Sequence, residues 1–311
     1  MRTTTLSRTA TDAAGHTVTF TQDLQINDAT PAPLVGVDWS TASPPEPNYY
    51  TDWPAVRCYK TGHAINAVAA WGSRVVAVTD DPAIPRNGGA AAASTLRQAL
   101  ETFYYGSGSA ARKDVQYHFA NGNEVDREYT SGTLPANVVD TWRRMYDVCH
   151  ELNGDGTRRY PNASMWADFT YWQMATAGAG ARFKPIAPYI DGWACSLYNP
   201  GREQVPVVWT PYPDFADLMM NTAADWGVGR FAIWETGSPI HATDPTKRPA
   251  YFEGLLDYVT AGCASRGLTP GPYLYWNRQT TGSPPGPANQ FKHDRTQAPD
   301  DTATRWHSWT P

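Results

Sequence analysis

Eight short apolar runs, separated by stretches with helical periodicity, restrict the fold of this chain more than any other feature. They fall at residues 34–40, 55–60, 74–79, 114–121, 163–169, 190–197, 230–234 and 272–276. Each has the length and apolar character of a buried strand. Several of the intervening segments read as amphipathic helices. After Pro135, which suits a first helical turn, Val138, Trp142, Met145, Cys149 and Leu152 recur at helical spacing and predict one buried face. Phe215, Met219, Thr222 and Trp226 mark a second helix. Phe252, Leu255, Leu256, Val259 and Cys263 mark a third, which Gly267 ends and Pro270 cannot continue.

Eight strands alternating with helices over about 240 residues predict an α/β fold, a (β/α)8 or TIM barrel. An open doubly wound sheet is the main alternative, but no G-x-G-x-x-G stands between a strand and a helix. The expected organisation has an N-terminal extension at residues 1–33, a barrel at 34–280 and an irregular Pro/Gly-rich tail at 281–311. Within the extension, residues 3–9 and 16–21 alternate polar and apolar around a turn at 12–15, and read as a β-hairpin.

Composition narrows the function. The formal net charge is −5 and no Lys/Arg cluster occurs, so neither nucleic acid nor an anionic membrane is an expected partner. No apolar run approaches the roughly 20 residues of a membrane span. Residues 1–21 are Thr-rich and lack the apolar core of a signal peptide. The expectation is a chain that stays in the cytoplasm, or is released or particle-associated by a signal-independent route. Cys58, Cys149, Cys195 and Cys263 are spread without metal-ligand spacing and read as reduced, buried side chains. No cofactor motif is present, so the expected chemistry uses neither cofactor nor metal. The chain carries 13 Trp, 17 Tyr and 9 Phe, an unusual number, most of which core packing can absorb individually. A surplus of flat rings suits the apolar faces of sugars, which points to a carbohydrate partner; the oligomeric state stays open.

In a parallel barrel the chemistry sits at the C-terminal strand ends. Asp38 and Trp39 follow the first run, Tyr59 the second, Asp80 and Asp81 the third, Asn123 and Glu124 the fourth. Asp168 follows the fifth, Tyr198 and Asn199 the sixth, Glu235 the seventh, and Trp276 and Asn277 the eighth.

The run Ala120-Asn121-Gly122-Asn123-Glu124 resembles the Asn-Glu signature that ends the fourth strand of the clan A glycoside hydrolases. Phe231-Ala232-Ile233-Trp234-Glu235-Thr236-Gly237 resembles their seventh-strand end. The sequence departs from many of those relatives at Val125, where they have Pro, and at Trp234, where they have Thr. The resemblance implies a retaining glycoside hydrolase, with Glu124 as general acid/base and Glu235 as nucleophile. Two glutamates about 5–5.5 Å apart would act by double displacement, whereas inversion needs about 6.5–9.5 Å. It also implies that Asn123 binds the hydroxyl beside the anomeric carbon, that Tyr198 donates to Glu235, and that Arg57 supports the nucleophile. Trp276 is the leading sugar platform, ahead of Trp39 and Trp193. His118, on the strand that carries Glu124, leads His63 and His241 as a substrate contact, and Asp38 is a further candidate. The expected substrate is a poly- or oligosaccharide, with a bacterial cell-wall or plant-type glycan as the natural candidates. The alternative is a barrel that binds glycan without turnover, for adhesion or as a structural part of a larger assembly such as a phage particle.

Overall fold

The computed structural model of the chain describes residues 2–11, 17–26, 35–39, 58–61, 75–79, 81, 83–106, 115–175, 178–198, 213–237 and 248–277. Internal contacts divide the chain into two units, Met1–Ala32 and Pro33–Pro311.

The first unit is an antiparallel hairpin of β1 (Arg2–Thr11) and β2 (Thr17–Ile26). Its register runs from Arg2 opposite Ile26 to Thr11 opposite Thr17. Threonine is frequent in both strands, and its branched β-carbon favours extended backbone.

In the second unit the strands are β3 (Val35–Trp39), β4 (Cys58–Thr61), β5 (Val75–Thr79), β6 (Gln116–Ala120), β7 (Ala163–Thr170), β8 (Gly192–Tyr198), β9 (Arg230–Gly237) and β10 (Thr269–Asn277). They pair in parallel, in chain order, and β10 returns to β3 to close the ring. From β5 onward strand and helix alternate among the described residues. The helices are α1 (Ala90–Tyr105), α2 (Ala136–Cys149), the short α3 (Tyr171–Met174) and α4 (Ala179–Phe183), α5 (Pro213–Asp225) and α6 (Arg248–Ser265).

Alternation along each strand sorts side chains into two cores. Outward residues such as Val76, Phe119, Met165, Trp193 and Ile233 pack with helix residues such as Leu96, Trp142 and Leu255. Inward residues form a separate cluster in which Ala77, Ala120, Ala194 and Ala232 surround the indoles of Trp166 and Trp234. Small side chains are needed there because the two indoles, 5.4 Å apart, fill the lumen. Two glycines complete the fit. A β-carbon on Gly192 would lie 2.5 Å from the Trp166 ring, and one on Gly271 would lie 2.8 Å from Ala232.

Helix α2 buries Val138, Trp142, Met145 and Cys149, the face that its sequence predicts. It stops earlier than that periodicity suggests. Pro135 is its N-cap, His150 its C-cap, and Leu152 lies outside the helix, exposed and bridged to Arg158. Helix α6 ends at a left-handed Gly267 (φ 69°), and the Leu268 N–H returns to the Cys263 carbonyl. Cys149, Cys195 and Cys263 are buried and unbridged. Burial pushes their thiols up, that of Cys263 to about 12, so they stay protonated near neutrality. Cys58 stands at the start of β4, with its side chain outside the described residues.

Candidate active site

Polar groups inside the ring gather at its two ends, and the ends differ in sign. At the N-terminal end, the floor, Arg230 opens β9 and its guanidinium lies 4.9 Å over the Trp166 ring. It donates at 3.3 Å to Gln116 Oε1 and lies 3.3 Å from His118 Nε2. His118 is fully buried and stacks on Trp166 at 4.6 Å. Burial, and then the Arg230 charge, hold this imidazole well below its ordinary range, so it is neutral and accepts from Arg230. His118 therefore does not reach the end of β6 that carries Glu124. It faces the lumen two residues into the strand, level with Ala77 and Ser164. Trp193 is also placed away from any sugar. It faces outward against Phe169 at 4.3 Å and Trp226 at 4.4 Å, because its neighbour Ala194 takes the inward position.

At the C-terminal end, the mouth, the buried carboxylates are Asp81, Glu124, Asp126, Asp168 and Glu235. Asp81 accepts from the Ala83 N–H at 2.9 Å and caps the turn after β5. Asp168 shares the inward face of β7 with Trp166 and pairs in register with Ala194.

Glu235 reaches the lumen through a bulge. Ala232 and Trp234 both belong to the inner cluster, so strict alternation would turn Glu235 outward. The register against β8 shifts instead, from Cys195 opposite Ile233 to Ser196 opposite Glu235. Ser196 shares the inward face of Ala194, and Glu235 lies level with it. The same shift appears against β10, where Tyr273 pairs with Ile233 and Tyr275 with Thr236. Thr236 then points away and donates to the Leu197 carbonyl at 2.8 Å. An extra residue in one strand is the usual device for re-aiming a side chain.

Glu124 arrives by a different route, on a turn after β6. Gly122 has φ 123°, a conformation that side chains rarely adopt, and the Arg86 guanidinium passes close to it. Asn121 donates to the Arg86 carbonyl at 2.7 Å, and Arg86 pairs with Glu128. Glu124 itself has left-handed backbone, φ 50° and ψ 56°, the single non-glycine residue among those described with positive φ. Its carbonyl accepts from Arg127 N–H, beginning the 3-10 turn Val125–Arg127. Asp126, fully buried on that turn, accepts from Thr170 at the end of β7. The Thr170 N–H lies 2.9 and 3.0 Å from the two carboxylate oxygens, and Thr170 Oγ1 lies 2.7 Å from Oδ2. Burial pushes Asp126 up to about 6, against those hydrogen bonds and with some help from Glu124.

Arg127 links the two glutamates electrostatically. It donates to Glu124 Oε2 at 2.7 Å. That bond and the Glu124 charge hold Arg127 above the ordinary guanidinium range, and Asp126 and Glu235 add to the pull. Glu124 and Glu235 are 7% and 8% exposed, whereas the Arg127 side chain is 69% exposed. Two nearly buried carboxylates thus act on one exposed cation. Around them Asn123 Oδ1, Ser196 Oγ and Trp234 Nε1 are buried with no hydrogen-bond partner.

Among the other residues expected in the site, Asp38, Trp39, Tyr198, Trp276 and Asn277 have strand backbone at C-terminal ends, Tyr59 is instead the second of the four residues of β4, and the side chains of all six lie outside the described residues. Trp276 is in register with Asp38, and Tyr198 with Gly237 beyond Glu235. Arg57, His63, Asp80, Asn199 and His241 lie outside the described residues altogether, as does the segment 281–311. Among the described residues no group of three His, Cys, Asp or Glu could hold a metal ion, and no helix is long and apolar enough to cross a membrane. Sequence reasoning missed Arg127 and Asp126. Both sit in the charged run 124–128, which has the composition of a solvated loop. Only the depth of Asp126 beside Thr170 distinguishes it.

Solved structures that share the fold of this closed parallel barrel include several glycoside-cleaving enzymes. The β-glucuronidase from Ruminococcus gnavus in complex with D-glucuronic acid aligns with a TM-score of 0.55 at 13% identity. It covers 98% of this chain, which spans 56% of the glucuronidase. XacCel5A in complex with cellopentaose aligns at 0.55 and 9% identity, covering 89% of this chain and 99% of its own. A broad-specificity endoglucanase from Ruminococcus flavefaciens aligns at 0.52 and 11% identity, over 88% and 94%. At such identities the likeness is one of fold. No protein-family model matches the chain, and no curated protein matches it in sequence.

Proposed function

We propose that the chain is a retaining glycoside hydrolase built on a complete (β/α)8 barrel at residues 34–280, with 1–33 and 281–311 as appendages. Its substrate is a poly- or oligosaccharide. The observation that carries the reading is the bulge in β9, which levels Glu235 with the inward Ser196 at the same end of the barrel as the buried Glu124. A carboxylate buried at a strand end is costly without a task, and the ends of β6 and β9 are each followed or closed by one.

In the first step Glu235 attacks the anomeric carbon while Glu124 gives its proton to the departing glycosidic oxygen. The C–O bond breaks and a glycosyl ester forms on Glu235. In the second step Glu124 takes a proton from water, the water oxygen attacks the anomeric carbon, and the ester bond to Glu235 breaks. Arg127 must leave Glu124 before that residue can carry a proton, and its exposure leaves it free to swing into solvent. Asn123 Oδ1 and Ser196 Oγ are placed to take hydrogen bonds from sugar hydroxyls, which would supply the partners they lack. Arg57, Tyr198 and Trp276 keep their expected roles in orienting the nucleophile and stacking on the sugar, with Asp38 and Trp39 as further contacts.

The test is a panel of aryl glycosides and polymeric glycans, assayed with wild type beside Glu235→Gln. Hydrolysis by wild type and none by the variant is expected. Glu124→Gly suits a second test, because glycine accepts the left-handed backbone at that position without strain. Added azide should rescue this variant and give a glycosyl azide of retained configuration. An inverted azide would reverse the assigned roles, and a wild type inactive on every substrate would remove the reading.

A further inference from the structure

We infer that Asp126 is a positioning residue, whose carboxylate, clamped on Thr170 at the end of β7, holds the left-handed turn that aims Glu124 into the barrel mouth. The inference rests on the reading of Glu124 as acid/base.

Left-handed backbone at a non-glycine residue is strained and persists only where surrounding contacts over-determine it. Three attachments hold this segment. Asn121 and Glu128 fasten its two ends to the Arg86 loop. Between them Asp126 fastens the middle to β7, through both the N–H and the hydroxyl of Thr170. Glu124 is two residues from Asp126, and the 3-10 turn that joins them begins on the Glu124 carbonyl. Releasing Asp126 frees Val125–Arg127 to unwind, and Glu124 can then relax toward ordinary backbone and leave the lumen. Asp126 keeps its charge in a buried setting that disfavours it, which marks a retained group rather than an incidental one. Both its oxygens are taken up by Thr170, so it acts through Glu124.

The experiment compares Asp126→Asn, Thr170→Val and Thr170→Ser with wild type in the full chain. An amide has one acceptor oxygen, so it cannot spread the two Thr170 donors, N–H and hydroxyl, over both oxygens as the carboxylate does. For Asp126→Asn, kcat on an active aryl glycoside should fall roughly 10²-fold, with KM changed less than about threefold, since sugar-binding groups stay in place. Thr170→Val should fall less, and Thr170→Ser, which keeps the hydroxyl, should restore kcat to within about threefold of wild type. Loss of kcat and KM together, or equal losses in Thr170→Ser and Thr170→Val, would overturn the assignment. Crystal structures of Asp126→Asn and wild type give an arm that needs no turnover. Glu124 leaving the left-handed region supports the clamp, and Glu124 still left-handed on Arg127 refutes it. An inactive wild type would defeat the hydrolase reading and leave that structural arm decisive.

Discussion

The two ends of the barrel handle buried polarity in opposite ways. At the floor Arg230 donates to Gln116 and to His118, and Trp166 lies across them. At the mouth Asn123, Ser196 and Trp234 each keep a buried polar atom without a partner, beside two glutamates and a strained turn. An unpaired buried donor or acceptor costs about 1–3 kcal/mol. Among the described residues of the ring such groups are more frequent at the mouth, where the proposed substrate would supply partners. His118 Nδ1 is the exception at the floor, also without a partner.

The largest expected effect tests whether chemistry belongs to the mouth alone. Glu235→Gln should lose on the order of 10⁴-fold in kcat/KM, and Glu124→Gln about 10²–10⁴-fold depending on the leaving group. Urea midpoints should stay near the wild-type value. Activity surviving both substitutions would break the contrast at once.

Next comes a difference of sign in pH dependence. Asp126 has its carboxyl raised from 3.8 to about 6 in the folded chain. Its contribution to stability is therefore complete below about pH 4 and is lost as pH rises through 6, a change of about 3 kcal/mol at 1.36 kcal/mol per unit. His118 works the other way. Its folded value is depressed below 6.5, so its contribution is present above that pH and lost as pH falls. Chemical denaturation from pH 4 to 7 should show the stability difference between wild type and Asp126→Asn shrinking with rising pH. For His118→Gln the corresponding difference should grow. Parallel trends would refute the distinction between the ends.

Gly192→Ala probes the floor by steric means. A β-carbon 2.5 Å from three atoms of the Trp166 ring must displace the indole, at a cost of about 1–3 kcal/mol in urea unfolding. Activity per folded molecule should hold if the floor is only a support. The smallest effect concerns Ser196. Removing its unpartnered hydroxyl in Ser196→Ala should raise stability by roughly 1 kcal/mol while weakening substrate binding several-fold in KM. A loss of stability instead would mean that the hydroxyl is already bonded in the free protein.

Much of this arrangement could be read from the chain, for reasons that vary by residue. The strands were legible because alternation and apolar content survive in local sequence, and β5 to β10 appear within a few residues of their expected positions. Glu235 was legible by its place at the end of an apolar run. Its direction was not, since Ala232 and Trp234 facing inward predict an outward Glu235, and the bulge that reverses this has no glycine or other marker. The same blindness affected His118, because a strand of five residues has both a floor end and a mouth end, and one-dimensional proximity to Glu124 does not separate them. Trp193 drew attention as an aromatic near a strand end, but single-residue parity assigns it to the outer core. Asp126 depended on a contact across 44 positions, to Thr170, which no local pattern encodes.

The stopper formed by Trp166, seated through Gly192 and Gly271, has a kinetic implication. With the lumen closed by indole, solvent cannot percolate through the axis of the ring. Under the double displacement proposed above, the incoming water would use the doorway that the leaving group has just vacated. A sluggish leaving group would then delay the second half-reaction, and an acceptor alcohol waiting in the same doorway would compete with water for the glycosyl ester.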